Sequence, residues 1–179
     1  VYKRQTPVSS VLDLGTGSGV QLLGQLDSAE RIVATDVHER ALELARATVA
    51  AAGADDTVEL RQGSWFEPVA GERFDRIVAN PPFVVGLPEV GHVYRDSGLN
   101  LDAASELVIS QAAEHLTPGG TAHLLAAWVH RGEESWQQRV ASWLPDTGVA
   151  AWVIERDVVD LAHYVSTWLE DESIDVRSP

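Results

Sequence analysis

Mainly apolar runs of strand length alternate with helix-like segments along most of this chain of 179 residues. Val8 to Leu14 and Phe74 to Ala79 are two such runs. Between them, the segment from about Glu39 to Ala52 has the spacing of an amphipathic helix and stops at Gly53. Buried strands separated by helices are typical of a parallel sheet covered on both faces. The alternation therefore predicts an α/β fold.

The pattern predicts a sheet of seven strands with helices on both faces. The mostly parallel part is expected at Val8 to Leu14, Arg31 to Thr35, Val58 to Leu60, Phe74 to Ala79 and Thr121 to Val129. A closing antiparallel pair is expected at Val149 to Val159 and His163 to Leu169. Helices are expected at Val20 to Leu26, Glu39 to Ala52, around Ile109 to Leu116, and Trp136 to Leu144.

Length and composition favour a single domain. With 45% hydrophobic residues, 179 residues can bury one sizeable core. We expect a core over 8–169 and a polar tail over 170–179. Because the chain starts at Val1 rather than Met and close to its first strand, a further domain is expected upstream.

No run approaches the roughly 20 apolar residues that span a bilayer, so a soluble, cytoplasmic protein without membrane contact is expected. The chain contains no cysteine, which excludes disulfides, thiol chemistry and cysteine-bound zinc. The net charge of −14 disfavours unaided nucleic-acid binding, although a separate domain could supply a basic surface. The oligomeric state is left open.

A glycine-rich turn, Gly15-Thr16-Gly17-Ser18-Gly19, directly follows the first strand. Such a turn brings backbone amides close to a ligand. Asp36 follows the second strand, where a carboxylate can accept both hydroxyl hydrogens of an adenosine ribose. Val20 stands where a dinucleotide site usually has its third glycine, and no lysine follows as in a Walker phosphate loop. The alternative is a purely structural turn, with Asp36 capping the next helix.

The segment Asn80-Pro81-Pro82-Phe83 follows the fourth predicted strand, at the same sheet edge as the glycine turn. The nitrogen of an amide or aromatic amine is a poor nucleophile because its lone pair is delocalised. The side-chain oxygen of Asn80 and the main-chain oxygen of Pro81 could accept its two hydrogens, and the Phe83 ring could stack on the planar group. The segment therefore predicts a site that binds a planar nitrogen and makes it nucleophilic without a strong base. The alternative is a strand end that the two prolines only stiffen. The long irregular stretch after it, 83–100, is a candidate substrate lid.

These motifs, in this order, resemble class I, Rossmann-like S-adenosylmethionine-dependent methyltransferases of the amino-methylating group, over roughly Val8 to Leu169. The chain is similar to the HemK-type protein-glutamine N5-methyltransferases and to the small-domain ribosomal RNA guanine-N2 methyltransferases. DNA and RNA adenine-N6 enzymes share the Asn-Pro-Pro-aromatic signature. Phe83 is commoner in the RNA enzymes, whereas the region from Arg95 to Leu107 looks more like HemK.

The resemblance implies S-adenosylmethionine as cofactor and assigns roles to individual residues. Asn80, Pro81, Pro82 and Phe83 would form the catalytic segment, with Asn80 holding the substrate nitrogen. Asp36 would bind the ribose, and Ser64 lies where the family usually has an acidic residue facing adenine. The remaining implied cofactor-binding residues are Asp13, Gly15, Thr16, Gly17, Gly19, Val37 and Trp65.

The resemblance implies an enzyme whose acceptor is a protein glutamine amide, for example in a translation factor or a ribosomal protein. The alternative acceptor is a base amino group in RNA or DNA, guanine N2 or adenine N6. An inactive cofactor-binding subunit and a small-molecule acceptor are further alternatives. The six histidines show no paired spacing typical of a zinc helix, and no metal site is expected.

Overall fold

The computed structural model describes residues 6–82, 85, 99, 101–146 and 148–169. The chain divides into two compact units, Val1–Thr147 and Gly148–Pro179. The first unit contains the sheet and every motif considered above. The single-domain arrangement stays a prediction, and the polar tail 170–179 and most of the candidate lid lie outside the described residues.

The first unit is built on a five-stranded sheet in which all paired strands are parallel. The strands are β1 (Val8–Leu14), β2 (Ala29–Asp36), β3 (Val58–Gln62), β4 (Phe74–Ala79) and β5 (Leu116–Leu124). Their order across the sheet is β3-β2-β1-β4-β5. This architecture confirms the predicted α/β, Rossmann-like fold class.

Helices follow the strands along the chain. They are α1 (Val20–Leu23), α2 (Glu39–Ala52), α3 (Ala103–Ala112) and α4 (Trp136–Ser142), with α5 (Leu161–Leu169) in the second unit. Helix α2 ends where its sequence predicts, because Gly53 adopts the left-handed conformation that terminates helices (φ 64°). No helix among the described residues is long and apolar enough to cross a membrane.

Two apolar clusters lie in the first unit. One contains Leu12, Leu14, Val33, Phe74 and Ile77 together with side chains of α3; the other contains Val11, Ile32, Ala34 and Val78 together with Leu22 and Val49. Neighbouring residues of one strand point to opposite faces, which is why β1 contributes to both clusters. Burial of each large apolar side chain contributes about 1.5–3 kcal/mol to the stability of the fold, so the sheet is a stable support for the loops at its edge.

The position of β5 differs from the prediction of Thr121 to Val129. The observed strand begins at Leu116 and ends at Leu124, and it includes the Pro-Gly-Gly stretch that was expected to separate helix from strand. Opposite this stretch the register shifts, since Phe74 pairs with Leu116 and Arg76 with Thr121. The shift absorbs the extra residues as an irregularity of the edge strand.

The predicted closing antiparallel pair is wrong. His163 to Leu169 belongs to helix α5, and no strand is assigned between 148 and 160 among the described residues. The sequence carries the reason, because its apolar residues recur at helical spacing: Leu161, Tyr164, Val165, Trp168 and Leu169. The described sheet therefore has five strands instead of seven, and all of its pairings are parallel.

Candidate active site

The glycine turn and the Asn-Pro-Pro segment meet at the point where the strand order reverses. Strands β1 and β4 are neighbours, with Leu14 paired with Ala79, so the loops that follow them begin side by side. A Cβ atom placed on Gly15 would lie 3.9 Å from the Cα atom of Pro81. Ligands of open α/β sheets bind at such switch points.

An open cavity of about 910 Å³ occupies this edge of the sheet. Its walls include most of the residues selected from sequence: Gly15, Thr16, Gly17, Asp36, Val37, Ser64, Trp65, Asn80, Pro81 and Pro82. The glycine turn after β1, Asp36 at the end of β2 and the Asn-Pro-Pro segment after β4 are therefore brought together in one site. Phe83 lies outside the described residues, so its predicted stacking role stays a prediction.

The backbone of the glycine turn is fixed against β2. Gly15, Gly17 and Gly19 all have positive φ angles, of 72°, 56° and 83°. The amide of Thr16 donates to the carbonyl of Thr35 (2.9 Å), which joins the turn to the end of the neighbouring strand. Gly17 lines the cavity, and its Cβ position is open, whereas Gly19 is buried and does not line it.

Asp36 connects the turn to the start of α2. Its Oδ2 atom accepts a hydrogen bond from the amide of Gly17 (2.9 Å), and its Oδ1 atom accepts one from the amide of His38 (2.9 Å). Each carboxylate oxygen has a further lone pair, so both can still accept a hydroxyl hydrogen. The carboxylate is half-buried in the cavity wall, where it can serve both the turn and a ribose.

Asp13 lies beneath the turn instead of in the cavity wall. Its side chain is fully buried, and its Oδ2 atom accepts a short hydrogen bond from the Thr16 hydroxyl (2.6 Å). Its Oδ1 atom has no hydrogen-bond partner among the described residues. Burial raises the pKa of Asp13 to about 6, although the hydrogen bond from Thr16 acts in the opposite direction. Asp13 is therefore connected to the cavity wall through Thr16, which does line the cavity.

The segment Gly63-Ser64-Trp65 forms another part of the cavity wall. The amide of Gly63 donates to the carbonyl of Asp36 (3.0 Å), so this wall is joined to the end of β2. Trp65 has a positive φ angle of 48°, which is uncommon for a bulky residue. The half-buried ring of Trp65 packs against the core cluster of β1 and β4 while it borders the cavity.

Several cavity residues were not named individually as site residues from sequence, although Ser18 belongs to the predicted glycine turn and Gly63 directly precedes Ser64. They are Leu14, Ser18, Val20, Gln21, Thr35, His38, Ala41, Leu44, Gly63 and Leu125. Val20, Leu44 and Leu125 are exposed apolar side chains, and helical or strand spacing gives no means of telling which of these face a ligand. Leu125 was assigned to β5, but it lies just beyond that strand, and its amide donates to the carbonyl of Ala79 (3.0 Å).

The cavity fits S-adenosylmethionine in its chemistry. The open Cβ position at Gly17 allows close approach to the backbone, Asp36 offers acceptors for a ribose, and the Trp65 ring offers a flat apolar surface. Among the described residues, no group of three or more His, Cys, Asp and Glu side chains is placed to hold a metal ion. The fold and this site together define a Rossmann-like methyltransferase domain.

Comparisons with known proteins agree with this class. The family model "Methyltransferase small domain" matches residues 3–140. The release factor glutamine methyltransferase of Gloeobacter violaceus is 36% identical over 146 residues, which cover 74% of this chain and 49% of that protein. The ribosomal protein uL3 glutamine methyltransferase of Bradyrhizobium diazoefficiens is 32% identical over 172 residues, 86% of this chain and 53% of that protein.

Solved structures share the fold. A methyltransferase from Pyrococcus furiosus aligns with a TM-score of 0.50 and 26% identity, over 66% of this chain and 55% of that one. A ribosomal protein L11 methylase from Lactobacillus delbrueckii subsp. bulgaricus aligns with a TM-score of 0.51 and 23% identity, over 66% and 51% of the two chains.

The chain belongs to the methyltransferase small domain family. This membership confirms the predicted assignment to the S-adenosylmethionine-dependent methyltransferases, and with it the predicted enzyme class and cofactor. The chain spans about half the length of the curated relatives described here.

Proposed function

We propose that this protein transfers a methyl group from S-adenosylmethionine to the side-chain amide nitrogen of a glutamine in a protein of the translation apparatus, and acts in the cytoplasm. The relatives at 32–36% identity are named for glutamine methylation of a release factor and of ribosomal protein uL3. The observation that carries the proposal is the exposed Asn80 in the cavity wall, beside the glycine turn.

The proposed chemistry requires positioning more than acid–base catalysis. The cofactor supplies a methyl group on a sulfonium, which is already activated for transfer. The Asn80 side-chain oxygen and the Pro81 main-chain oxygen accept the two amide hydrogens and turn the nitrogen lone pair toward the methyl carbon. The nitrogen–carbon bond forms as the carbon–sulfur bond breaks, and the surplus proton passes from the nitrogen to water. Alignment of the reacting atoms supplies much of the rate enhancement.

The charges around the cavity favour a protein acceptor over a nucleic acid. Among the described lining residues there is no arginine or lysine, and Asp36 places a carboxylate in the wall. A nucleic-acid substrate brings phosphates that require basic side chains beside the reacting base. A neutral glutamine side chain has no such requirement and matches the hydrogen-bond acceptors at Asn80 and Pro81.

The acceptor class is tested by incubating the protein with radiolabelled S-adenosylmethionine and a lysate of the source organism. We expect label that protease removes and ribonuclease does not, and a peptide map that places one added methyl on a glutamine. Ribonuclease-sensitive label would instead assign the acceptor to an RNA base and would contradict the proposal.

Asn80 itself is tested by comparing Asn80→Ala with Asn80→Asp. Asn80→Ala removes the acceptor oxygen, and we expect kcat to fall by about 100-fold or more while the Kd of S-adenosylhomocysteine changes by less than about threefold. Asn80→Asp keeps an acceptor oxygen at the same place and is expected to retain more activity than Asn80→Ala. Full activity of Asn80→Ala would remove Asn80 from the mechanism.

A further inference from the structure

The chain leaves β5 and runs past the active site as an irregular segment, residues 125–131, which we call the strap. At its start the amide of Leu125 donates to the carbonyl of Ala79 (3.0 Å), the residue directly before Asn80. This hydrogen bond fixes the peptide plane that leads into Asn80. The Leu125 side chain lies in the cavity wall together with Asn80.

Side chains of the first turn of α3 and its cap hold the strap in place. The hydroxyl of Ser105 accepts a hydrogen bond from the amide of Ala127 (3.1 Å). The Oδ2 atom of Asp102 accepts one from the amide of Val129 (3.0 Å). Asp102 and Ser105 are both 2% exposed, so these bonds form away from water, where an unmade bond is costly.

Asp102 is in turn fixed by Arg139 of α4. The guanidinium donates from Nε to Oδ2 (2.9 Å) and from Nη2 to Oδ1 (2.7 Å), a bidentate pair. Burial alone would raise the pKa of Asp102, but the hydrogen bonds from Arg139 and from the amide of Val129 hold it below its usual range. Arg131, at the end of the strap, also approaches Oδ1 (3.4 Å). The Asp102 carboxylate therefore contacts Arg139 of α4 and two residues of the strap, Val129 and Arg131.

Two further features show that the conformation is constrained where the strap meets α4 and the residues just before α3. Leu101, directly before Asp102, has a positive φ angle of 52°, which a branched side chain adopts only under constraint from its surroundings. The ring of Trp128 in the strap packs on that of Trp136 in α4, with centroids 5.5 Å apart. Helix α4 therefore contacts the strap through an aromatic pair as well as through Asp102.

We infer that Asp102 is a positioning residue for methyl transfer: together with Ser105 it fixes the strap, and through the Leu125–Ala79 hydrogen bond the strap fixes Asn80. The inference rests on the proposed role of Asn80. Asp102 touches neither cofactor nor substrate in this scheme. Neutralising Arg139 does not require the hydrogen bond that Asp102 accepts from the amide of Val129. Buried ion pairs by themselves contribute little to stability, so the ion pair alone does not account for Asp102.

The position of Asn80 can be tested without a methyl acceptor. In sinefungin a carbon that bears an amino group replaces the methyl-bearing sulfonium of S-adenosylmethionine, whereas S-adenosylhomocysteine keeps the sulfur as a neutral thioether and lacks the methyl group. The ratio of the two Kd values therefore reports how favourably Asn80 interacts with a group at the position of the transferring methyl. A variant that only loosened the fold would weaken both ligands together and leave the ratio unchanged.

We expect Asp102→Asn and Ser105→Ala to reduce the preference for sinefungin about as strongly as Asn80→Ala does, by about tenfold. Ser105→Ala is included because it removes one strap contact and leaves the Asp102–Arg139 pair intact. Glu134→Gln is the control. Its exposed carboxylate lies 3.6 Å from Arg139, and among the described residues its only bond to the strap is from its main-chain amide to the carbonyl of Arg131, which the substitution keeps, so the preference should stay unchanged.

The outcomes separate this inference from the proposed function. A shifted ratio in Asn80→Ala with unshifted ratios in Asp102→Asn and Ser105→Ala would overturn the positioning role and leave the role of Asn80 intact. An unshifted ratio in Asn80→Ala would overturn both. Shifted ratios in all three variants, without any glutamine methylation by the native protein, would support the strap and contradict only the acceptor. The near-ultraviolet circular dichroism of the Trp128–Trp136 pair should change with the ratio in Asp102→Asn.

Discussion

Asp13 is a buried carboxylate that the fold keeps at a cost. It is fully buried, has one partner at Oδ2 and none among the described residues at Oδ1, and its pKa is raised to about 6. A raised carboxyl pKa means that the folded state binds a proton more tightly than the unfolded state. Asp13 therefore makes the free energy of unfolding larger at low pH, and this contribution is lost as the pH rises from about 4 to about 6 and beyond.

Asp13→Asn removes this titration and should change the pH dependence of stability. Relative to the native protein, we expect the variant to gain about 2 kcal/mol between about pH 4.5 and pH 7, because only the native side chain must ionise in that interval. Urea unfolding at the two pH values measures it. The difference between variant and native protein cancels the carboxylates whose pKa is lowered, such as Asp75 and Asp102. An equal difference at both pH values would show that Asp13 titrates normally.

The positions of the candidate site residues were more predictable than the direction in which each side chain points. Asp36 and Asn80 stand in the cavity wall as their positions after β2 and β4 indicated. Asp13 and Gly19 belong to the same motif, yet neither lines the cavity, because alternate residues of a motif point toward the ligand and toward the core. Spacing along the chain cannot separate these two directions.

At the level of elements, the glycine turn likewise contains one glycine that packs against the fold, Gly19, and one that lines the cavity, Gly17. A Cβ on Gly19 would meet the side chains of Leu22 and Thr48 at 3.2 and 3.4 Å and the Cα of Ala45 at 3.4 Å. Two of these contacts come from α2, so Gly19 lets that helix approach the turn. The Thr48 hydroxyl, which donates to the carbonyl of Ser18 (2.7 Å), holds the same approach. Gly17, in contrast, has open space at its Cβ position.

Gly19→Ala and Gly17→Ala should therefore fail in different ways. We expect Gly19→Ala to lower the free energy of unfolding by about 3 kcal/mol, since left-handed backbone strain adds to the displacement of α2. Gly17→Ala should lower it by only about 1 kcal/mol, because the Cβ position is open, but weaken S-adenosylhomocysteine binding, because it adds a methyl group to a residue that lines the cavity. Chemical unfolding and calorimetric titration of both variants check this. The reverse ranking of the two unfolding free energies would contradict the packing role of Gly19.

Strand positions were predictable where local pattern and tertiary pairing agree. The bounds of β1 and β4 match the prediction because both are mainly apolar runs that pair with a strand on each side in the sheet. At the edge, the bounds of β5 depend on contacts that are distant in sequence. Near the start of the strand the Thr117 hydroxyl donates to the Asp75 carboxylate, and beyond its end the Ser105 hydroxyl accepts a hydrogen bond from the amide of Ala127. Periodicity carries no information about such partners, which is why β5 was placed too late.

At the scale of the whole molecule, the net charge of −14 is accompanied by pairing of the basic side chains. At least six arginines of the described ranges lie within 4.0 Å of a carboxylate oxygen: Arg31, Arg40, Arg61, Arg131, Arg139 and Arg156. Arg31 and Arg61 share Glu59 and Glu72 in one network on the β3 side of the sheet. A guanidinium engaged in this way must lose a partner before it can bind a phosphate.

This charge arrangement predicts weak RNA binding by the chain. Non-specific binding of nucleic acid reaches a Kd of about 10⁻⁴ to 10⁻⁶ M when several cations contact phosphates, so we expect a Kd weaker than about 10⁻⁴ M for a ribosomal RNA fragment. Fluorescence anisotropy at about 50 and 200 mM salt measures it, because each phosphate contact steepens the salt dependence. A micromolar Kd that falls steeply with salt would mean that the paired arginines rearrange on binding. That result would favour a base amino group over a glutamine amide as the methyl acceptor. A weak Kd at both salt concentrations would support the proposed glutamine amide over a base amino group as the methyl acceptor.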